Sequence, residues 1–144
     1  MTEEKTGRLT DDSTELLVVD AANVVGSRPD GWWRDRPGAA RRLLTKLQTL
    51  PPQLETPTEI AVVLEGAAKA AVESALDPAF PDLRIVLASG SGDDAIVDLV
   101  AEAVAQDNNR PITVVTADRG LRARLDLLGA RTTGPSWLWS QLPS

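Results

Sequence analysis

The sequence contains no histidine, cysteine or tyrosine, and its aromatic residues are four tryptophans and one phenylalanine. The absence of cysteine excludes disulfides, thiolate nucleophiles and thiolate zinc sites. The absence of histidine excludes a Ser-His-Asp triad and imidazole ligation of a metal. Any catalysis must therefore use carboxylates, lysine or arginine, hydroxyls, amides, or a metal ion bound through oxygen.

Long hydrophobic runs are also absent. The apolar stretches span only a few residues, far short of the ~20 that a membrane-spanning helix needs, and residues 1–13 are polar and charged. We therefore expect a cytoplasmic protein with no membrane partner. A length of 144 residues, 42% of them hydrophobic, fits one compact core. It predicts a flexible tail over residues 1–13 and a single domain over residues 14–144.

Short apolar segments alternate with helical patterns along the chain. Strands covered on both faces are predicted over residues 15–20, 60–64, 83–88 and 112–116, with a short fifth strand over 130–133. Helices are predicted over residues 39–50, 95–105 and 121–128, and a terminal helix over 135–142. Region 67–76 has a weaker helical pattern, and region 21–35 has none. The alternation predicts a three-layer α/β/α domain with a mainly parallel central sheet.

Carboxylates follow each of the first four predicted strands. Asp20 ends the first strand, Glu65 follows the second, Asp93 and Asp94 follow the third, and Asp118 follows the fourth. Because ligands of open parallel sheets bind beyond the carboxyl ends of the strands, these five acids are predicted to converge. Clustered carboxylates repel one another unless a cation compensates them. Oxygen ligands without histidine or cysteine favour Mg²⁺ or Mn²⁺.

Each acid also has a purely structural explanation. Asp93, Asp94 and Asp118 precede predicted helices, where an acid caps free amides and interacts well with the helix dipole. Glu65 could be a solvated strand end. Asp20 is the hardest to explain in this way, because no helix is expected to start beside it.

The loop after the first strand argues against two other classes of phosphate-handling protein. It reads Asp20-Ala-Ala-Asn23 and lacks the glycines of a P-loop or dinucleotide site. An aspartyl phosphatase of the haloacid dehalogenase type would need a second aspartate at the position of Ala22.

Three motifs occur in order along the chain. They are Leu-Val-Val-Asp20-Ala-Ala-Asn23, Ser-Gly-Asp93-Asp94-Ala-Ile and Val-Val-Thr116-Ala-Asp118-Arg119-Gly-Leu. Together they resemble the NYN domains of the PIN-like nuclease superfamily, and within it the bacterial YacP-like branch, over roughly residues 15–133. The resemblance implies a metal-dependent ribonuclease fold with sheet order 3-2-1-4-5.

The same resemblance implies roles for individual residues. Asp20, Asp94 and Asp118 would form the metal-binding core of the catalytic site, with Asp93 close by. Asn23 would position phosphate or metal-bound water. Glu65 is a further candidate metal ligand, although it departs from the family pattern.

Three other polar residues lie near this set. Thr116 is a candidate for a hydrogen bond to the scissile phosphate, with an ordinary strand residue as the alternative, and Arg119 is a candidate phosphate contact. Asp98 lies one helical turn beyond Asp94 and is interpreted as solvated surface.

The formal charge of −6 is unevenly distributed. Region 28–46 has six basic and two acidic residues, a local charge of +4, and region 110–131 has five basic and two acidic residues, a local charge of +3. Both regions adjoin predicted catalytic acids, so they are candidate phosphate-binding surfaces. Within the first region, Arg28, Trp32, Trp33 and Arg34 are candidate substrate-binding residues, since exposed aromatics beside cations stack unpaired bases. One of these two tryptophans could instead pack in the core under the loop or at an oligomer interface, and Trp137 and Trp139 are expected to pack.

The leading hypothesis is a Mg²⁺- or Mn²⁺-dependent endoribonuclease that hydrolyses single-stranded RNA, free or presented by a ribosome. A second hypothesis is a small-nucleotide phosphohydrolase with the same metal chemistry. A third is a non-catalytic module that binds RNA or the ribosome, because a fold does not by itself establish an activity.

Overall fold

Five parallel strands form one sheet in the order β3-β2-β1-β4-β5. The computed structural model describes residues 14–51 and 54–143, so the predicted tail over residues 1–13 lies outside the described residues. The predicted order and three-layer architecture are confirmed. The strands are β1 (Glu15–Asp20), β2 (Thr58–Leu64), β3 (Leu83–Leu87), β4 (Ile112–Val115) and β5 (Arg131–Thr133).

Helices cover both faces of the sheet. They are α1 (Ala21–Gly26), α2 (Arg36–Leu47), α3 (Gly92–Gln106), α4 (Arg119–Asp126) and α5 (Pro135–Gln141). Two 3₁₀ turns lie at Trp32–Arg34 and Gly66–Ala71. None of the helices in the described ranges is long and apolar enough to cross a membrane.

Alternation along the strands places apolar side chains on both faces. Leu17 and Val19 of β1 belong to the core under α1, α2 and α5, whereas Leu16 and Val18 belong to the core under α3 and α4. Side chains of a strand point alternately to opposite faces, so a continuous apolar run is required when both faces are covered. This explains why β1 has no polar residue between Glu15 and Asp20.

Two local predictions differ from the structure. Region 67–76 is not an α-helix, because the 3₁₀ turn ends at Ala71 and Val72 is already extended. The segment after β1 does contain a helix, α1, which is only six residues long. A helix this short shows no full hydrophobic period, and it is stabilised by burial of Ala21 and Val24 and by an N-cap from Asp20.

The topology fixes where a ligand can bind. The chain runs from β1 to β2 and β3 on one side of the sheet and returns to β4 and β5 on the other. The sheet order therefore reverses between β1 and β4, which pair directly from Leu16 opposite Ile112 to Val19 opposite Val115. Open α/β sheets form their binding crevice at such a switch point, beyond the carboxyl ends of the strands.

Candidate active site

Asp20 lies at this switch point and is almost completely buried, with 6% of its surface exposed. It ends β1 and caps α1, since its Oδ1 accepts a hydrogen bond from the backbone N–H of Asn23 at 3.3 Å. Its Oδ2 accepts a hydrogen bond from the Thr116 hydroxyl at 2.8 Å. The expectation that no helix begins beside Asp20 is wrong, so capping contributes to its position.

Burial raises the pKa of Asp20 above its ordinary value, because a desolvated carboxylate is disfavoured. The hydrogen bonds from Thr116 and Asn23 oppose this shift, and the negative charges of Asp93 and Glu65 add to it. An acid in this environment gains stability from a compensating positive charge.

Thr116 joins the two strand ends at the centre of the site. Its side chain is fully buried, and its hydroxyl also accepts a hydrogen bond from the Asp118 backbone N–H at 3.2 Å. The Thr116 backbone N–H continues the pairing of β4 with β5 by donating to the Thr133 carbonyl at 2.9 Å. Its buried hydroxyl links Asp20 to the β4–α4 loop.

Asn23 makes a second link between the same two segments. Its Oδ1 accepts a hydrogen bond from the Ala117 N–H at 2.8 Å. Asn23 and Thr116 therefore hold the start of α1 against the loop that carries Asp118, and Asn23 retains part of its surface at the site.

Asp93 and Asp94 point in different directions although they are adjacent in the sequence. Burial raises the pKa of Asp93, and the charges of Asp118 and Glu65 raise it further, which places Asp93 among the other acids. Asp94 is exposed and forms an ion pair with Arg124 at 3.0 Å. The structure thus puts Asp93, rather than Asp94, in the acidic centre.

Helical phase is the physical reason for this correction. Asp93 precedes the buried residues Ile96 and Val100 by three and seven positions, so it continues the inward stripe of α3. Asp94 shares its face with Asp98 and Glu102, and all three are exposed along a depression between α3 and β3. This stripe could have been found in the sequence, and the exposure of Asp98 fits its interpretation as solvated surface.

Glu65 and Asp118 complete the acidic rim. Glu65 is half-buried after β2, and its Oε1 accepts a hydrogen bond from the Gly92 N–H at the start of α3. Asp118 is exposed and caps α4, with its Oδ1 accepting from the Leu121 N–H at 2.8 Å. Arg119, the candidate phosphate contact, is exposed in the first turn of α4.

The donor chemistry of this rim fits a hard divalent cation, because Asp20, Glu65, Asp93 and Asp118 supply only carboxylate oxygen. Within residues 14–51 and 54–143, no group of three or more acids lies close enough to enclose a metal ion directly.

The predicted substrate-binding residues of region 28–34 divide into two groups. Trp32 is half-buried, and Trp33 is 54% exposed and packs edge-on against Trp32 with ring centroids 6.2 Å apart. The Arg34 guanidinium lies 5.8 Å from the Trp33 ring. The Arg28 guanidinium instead lies 4.1 Å from the ring of Trp139 on α5, a contact between distant segments that the sequence did not indicate.

The two tryptophans of α5 also differ from each other. Trp139 packs against the core and donates a hydrogen bond from Nε1 to the Ser27 hydroxyl at 3.0 Å. Trp137 is 39% exposed, so its expected packing role is at most partial.

The five-stranded parallel sheet of order 3-2-1-4-5 with helices on both faces is a YacP-like fold. The chain is similar to a mutant of Rae1 (YacP) from Bacillus subtilis, known from a crystal structure, with a TM-score of 0.66 and 16% sequence identity. The similarity covers 89% of this chain and 74% of that one. No family model matches the sequence, and no curated protein matches it significantly.

Proposed function

We propose that this protein is a Mg²⁺- or Mn²⁺-dependent endoribonuclease that hydrolyses phosphodiester bonds of single-stranded RNA. The observation that carries the proposal is the convergence of Asp20, Glu65, Asp93 and Asp118 at the carboxyl ends of the strands, at the switch point of the sheet. Burial raises the pKa values of Asp20 and Asp93, and the negative charges of the neighbouring acids raise them further, although Arg124 partly opposes the shift of Asp93. A divalent cation would remove that repulsion.

Asp20, Asp93, Asp118 and Glu65 are the carboxylates from which we propose the metal ligands are drawn, with one or two of them bound directly and the others through water. When bound, the metal supplies an activated water and neutralises charge that develops on the phosphate. Thr116 and Asn23 hold the Asp20 carboxylate and the Asp118 backbone in a fixed relation through hydrogen bonds of 2.8 to 3.3 Å. Such preorganisation lowers the reorganisation needed in the transition state.

The local positive charge around this rim supports a polyanionic substrate. The exposed Arg119 follows Asp118 directly, and Arg28 lies beyond the C-terminal end of α1. Lysine and arginine near a phosphodiester chain provide most of the sequence-independent affinity for nucleic acid. Basic residues around the acidic rim therefore suit an enzyme that binds RNA phosphates and holds a metal at the phosphate that reacts.

The direct test is incubation of the purified protein with labelled single-stranded RNA in Mg²⁺, in Mn²⁺ or in EDTA. We expect internal cleavage that requires the metal and is lost in Asp20→Asn, which removes a charge but keeps an oxygen for capping. Asp98→Asn is the matched control, because Asp98 lies on the outer face of α3. Full cleavage by Asp20→Asn, or cleavage in EDTA, would refute the mechanism.

Free nucleotides serve as the second substrate in the same experiment. Turnover of nucleotides without cleavage of RNA would replace the proposal with a small-nucleotide phosphohydrolase. Tight RNA binding without products under any metal would replace it with a non-catalytic binding module.

A further inference from the structure

An open cleft of about 630 Å³ adjoins the acidic rim between α1 and α5. Its lining includes Asn23 and Ser27 of the α1 segment, Arg28, Trp32 and Trp139. Ala117 lines it as well and immediately precedes Asp118. The volume falls within the range of small-molecule sites, which are about 300–1,000 Å³.

The cleft shares a wall with the acidic rim. The hydrogen bond from Ala117 N–H to Asn23 Oδ1, at 2.8 Å, joins two of its lining residues. The backbone of Asn23 in turn donates to Asp20. A ligand in the cleft would therefore lie next to the residues that position Asp20 and Asp118.

The two indoles that line the cleft are each accompanied by a cation. The Arg28 guanidinium lies 4.1 Å from the Trp139 ring centroid, and the Arg36 guanidinium lies 5.3 Å from that of Trp32. Lys46 Nζ lies 5.9 Å from Trp139. The ten residues that line the cleft include Arg28 and no carboxylate, which contrasts with the acidic rim beside it.

We infer that this cleft is a nucleobase-binding site, in which an unpaired base of the RNA stacks on Trp32, Trp139 or the guanidinium of Arg28 while the flanking phosphates contact the cations. Aromatic rings bind any base through its π face, and arginine adds a planar cation. This inference rests on the proposed function and adds to it the residues that would hold an unpaired base, since a base held in a duplex cannot enter the cleft.

Binding of a labelled single-stranded RNA in EDTA tests this inference separately from cleavage. The probe is a decanucleotide of mixed sequence, followed by fluorescence anisotropy, and an abasic decanucleotide with the same phosphates is the control. Stacking predicts that the abasic chain binds more weakly, by roughly 5- to 150-fold for one stacked base. Equal binding of the two chains would overturn the inference.

Trp139→Leu and Trp32→Leu should each weaken binding of the decanucleotide within the same range. Trp137→Leu is the matched control, because Trp137 is exposed on the same helix and lies outside the lining of the cleft. Circular dichroism checks folding, and Trp139→Phe should keep most of the affinity because it keeps an aromatic face. A folded Trp139→Leu variant with unchanged affinity would contradict the site.

Two serine-to-glutamate variants test the cleft without changing a packed side chain. Ser136 lines the cleft and is exposed, whereas Ser140 is exposed on the same helix outside the lining. Ser136→Glu should weaken RNA binding more than Ser140→Glu, although both change the net charge equally. Equal effects of the two variants would indicate general repulsion of phosphate and would refute a local site.

Competition by mononucleotides distinguishes the two sources of a base. If a mononucleotide displaces the decanucleotide at a concentration close to the Kd of the decanucleotide, the cleft binds free nucleotides and the assignment to RNA is wrong. The outcome for cleavage is independent. RNA cleavage together with RNA binding that substitution of Trp32 or Trp139 does not weaken refutes only the nucleobase site. Base-dependent RNA binding without metal-dependent cleavage refutes only the proposed enzyme activity.

Discussion

Replacing the Thr116 hydroxyl tests how the centre of the site is held together. Thr116 is fully buried, donates to Asp20 Oδ2 at 2.8 Å and accepts from the Asp118 N–H at 3.2 Å. Thr116→Val keeps the shape and removes the donor. A hydrogen bond to a charged group contributes about 1.5–3 kcal/mol, so we expect the free energy of unfolding at pH 7 to fall by that amount.

This decrease in the free energy of unfolding of Thr116→Val should be larger at high pH than at low pH. Burial raises the pKa of Asp20 in the folded state, and the Thr116 hydroxyl opposes that rise. An acid with a raised folded pKa loses folded-state stability as pH rises, because the native state binds more protons than the unfolded state. In Thr116→Val, which lacks the hydroxyl, this loss of stability with rising pH is larger. The deficit should therefore be largest near pH 7 and should decrease to about 1 kcal/mol, the contribution of a neutral hydrogen bond, as pH falls towards about 4, where an unfolded aspartate protonates.

Urea denaturation at several pH values between 4 and 7 measures the effect. Thr113→Val is the matched control, since Thr113 is half-buried on the same strand, β4, outside the site. Thr116→Ser should keep the pH dependence of the natural protein because it keeps the hydroxyl. A deficit below about 0.5 kcal/mol at pH 7, or one that does not change with pH, would contradict the role assigned to this hydrogen bond.

Three further predictions concern the acids and one turn. Asp93→Asn should reduce metal-dependent RNA cleavage by about 100-fold or more. Asp94→Asn should leave cleavage nearly intact and lower the free energy of unfolding by under about 1 kcal/mol, because it breaks a surface ion pair. If Asp94→Asn reduces cleavage more than Asp93→Asn does, Asp94 belongs to the site. Mn²⁺ should raise the melting temperature of the natural protein in proportion to the logarithm of its concentration above Kd, and Asp20→Asn should lose this shift; equal shifts would place the ion elsewhere. Gly129 adopts a φ of +82° after α4, so Gly129→Ala should lower the free energy of unfolding by about 1–2 kcal/mol. Gly90→Ala, at an exposed and open position without positive φ, should change it little; similar effects of the two variants would contradict the assigned strain.

The strands and long helices were predictable because each carries a complete hydrophobic pattern. The β1 run fits its observed bounds, Glu15–Asp20, because both faces of the strand are covered and every inner position must be apolar. α1 was missed because its stability comes from the Asp20 cap and from burial of Val24 rather than from a repeated period. The alanine-rich pattern over residues 67–76 predicts a helix because alanine favours helix locally, whereas the chain forms a 3₁₀ turn over Gly66–Ala71 and becomes extended at Val72.

The candidate acids were predictable as a group because parallel strands bring their carboxyl ends to one edge. The sequence indicated less clearly which of these acids lie together at the site. The choice between Asp93 and Asp94 followed from the phase of α3, which the spacing of Ile96 and Val100 already contained. The burial of Thr116, which turns a candidate phosphate contact into a positioning residue, depends on how the β4–α4 loop packs over Asp20.

The sequence by itself determined that neither imidazole nor thiolate is available for catalysis or metal binding, since it has neither histidine nor cysteine, and it determined the alternation that predicts a parallel sheet. Tertiary structure alone decided which groups act together. The contact of Arg28 with Trp139 joins positions 111 residues apart in the chain, and the hydrogen bond between Thr116 and Asp20 joins positions 96 apart. Local patterns report which face of an element is buried, but only the packing of α5 against α1 and of β4 against β1 brings these side chains into contact.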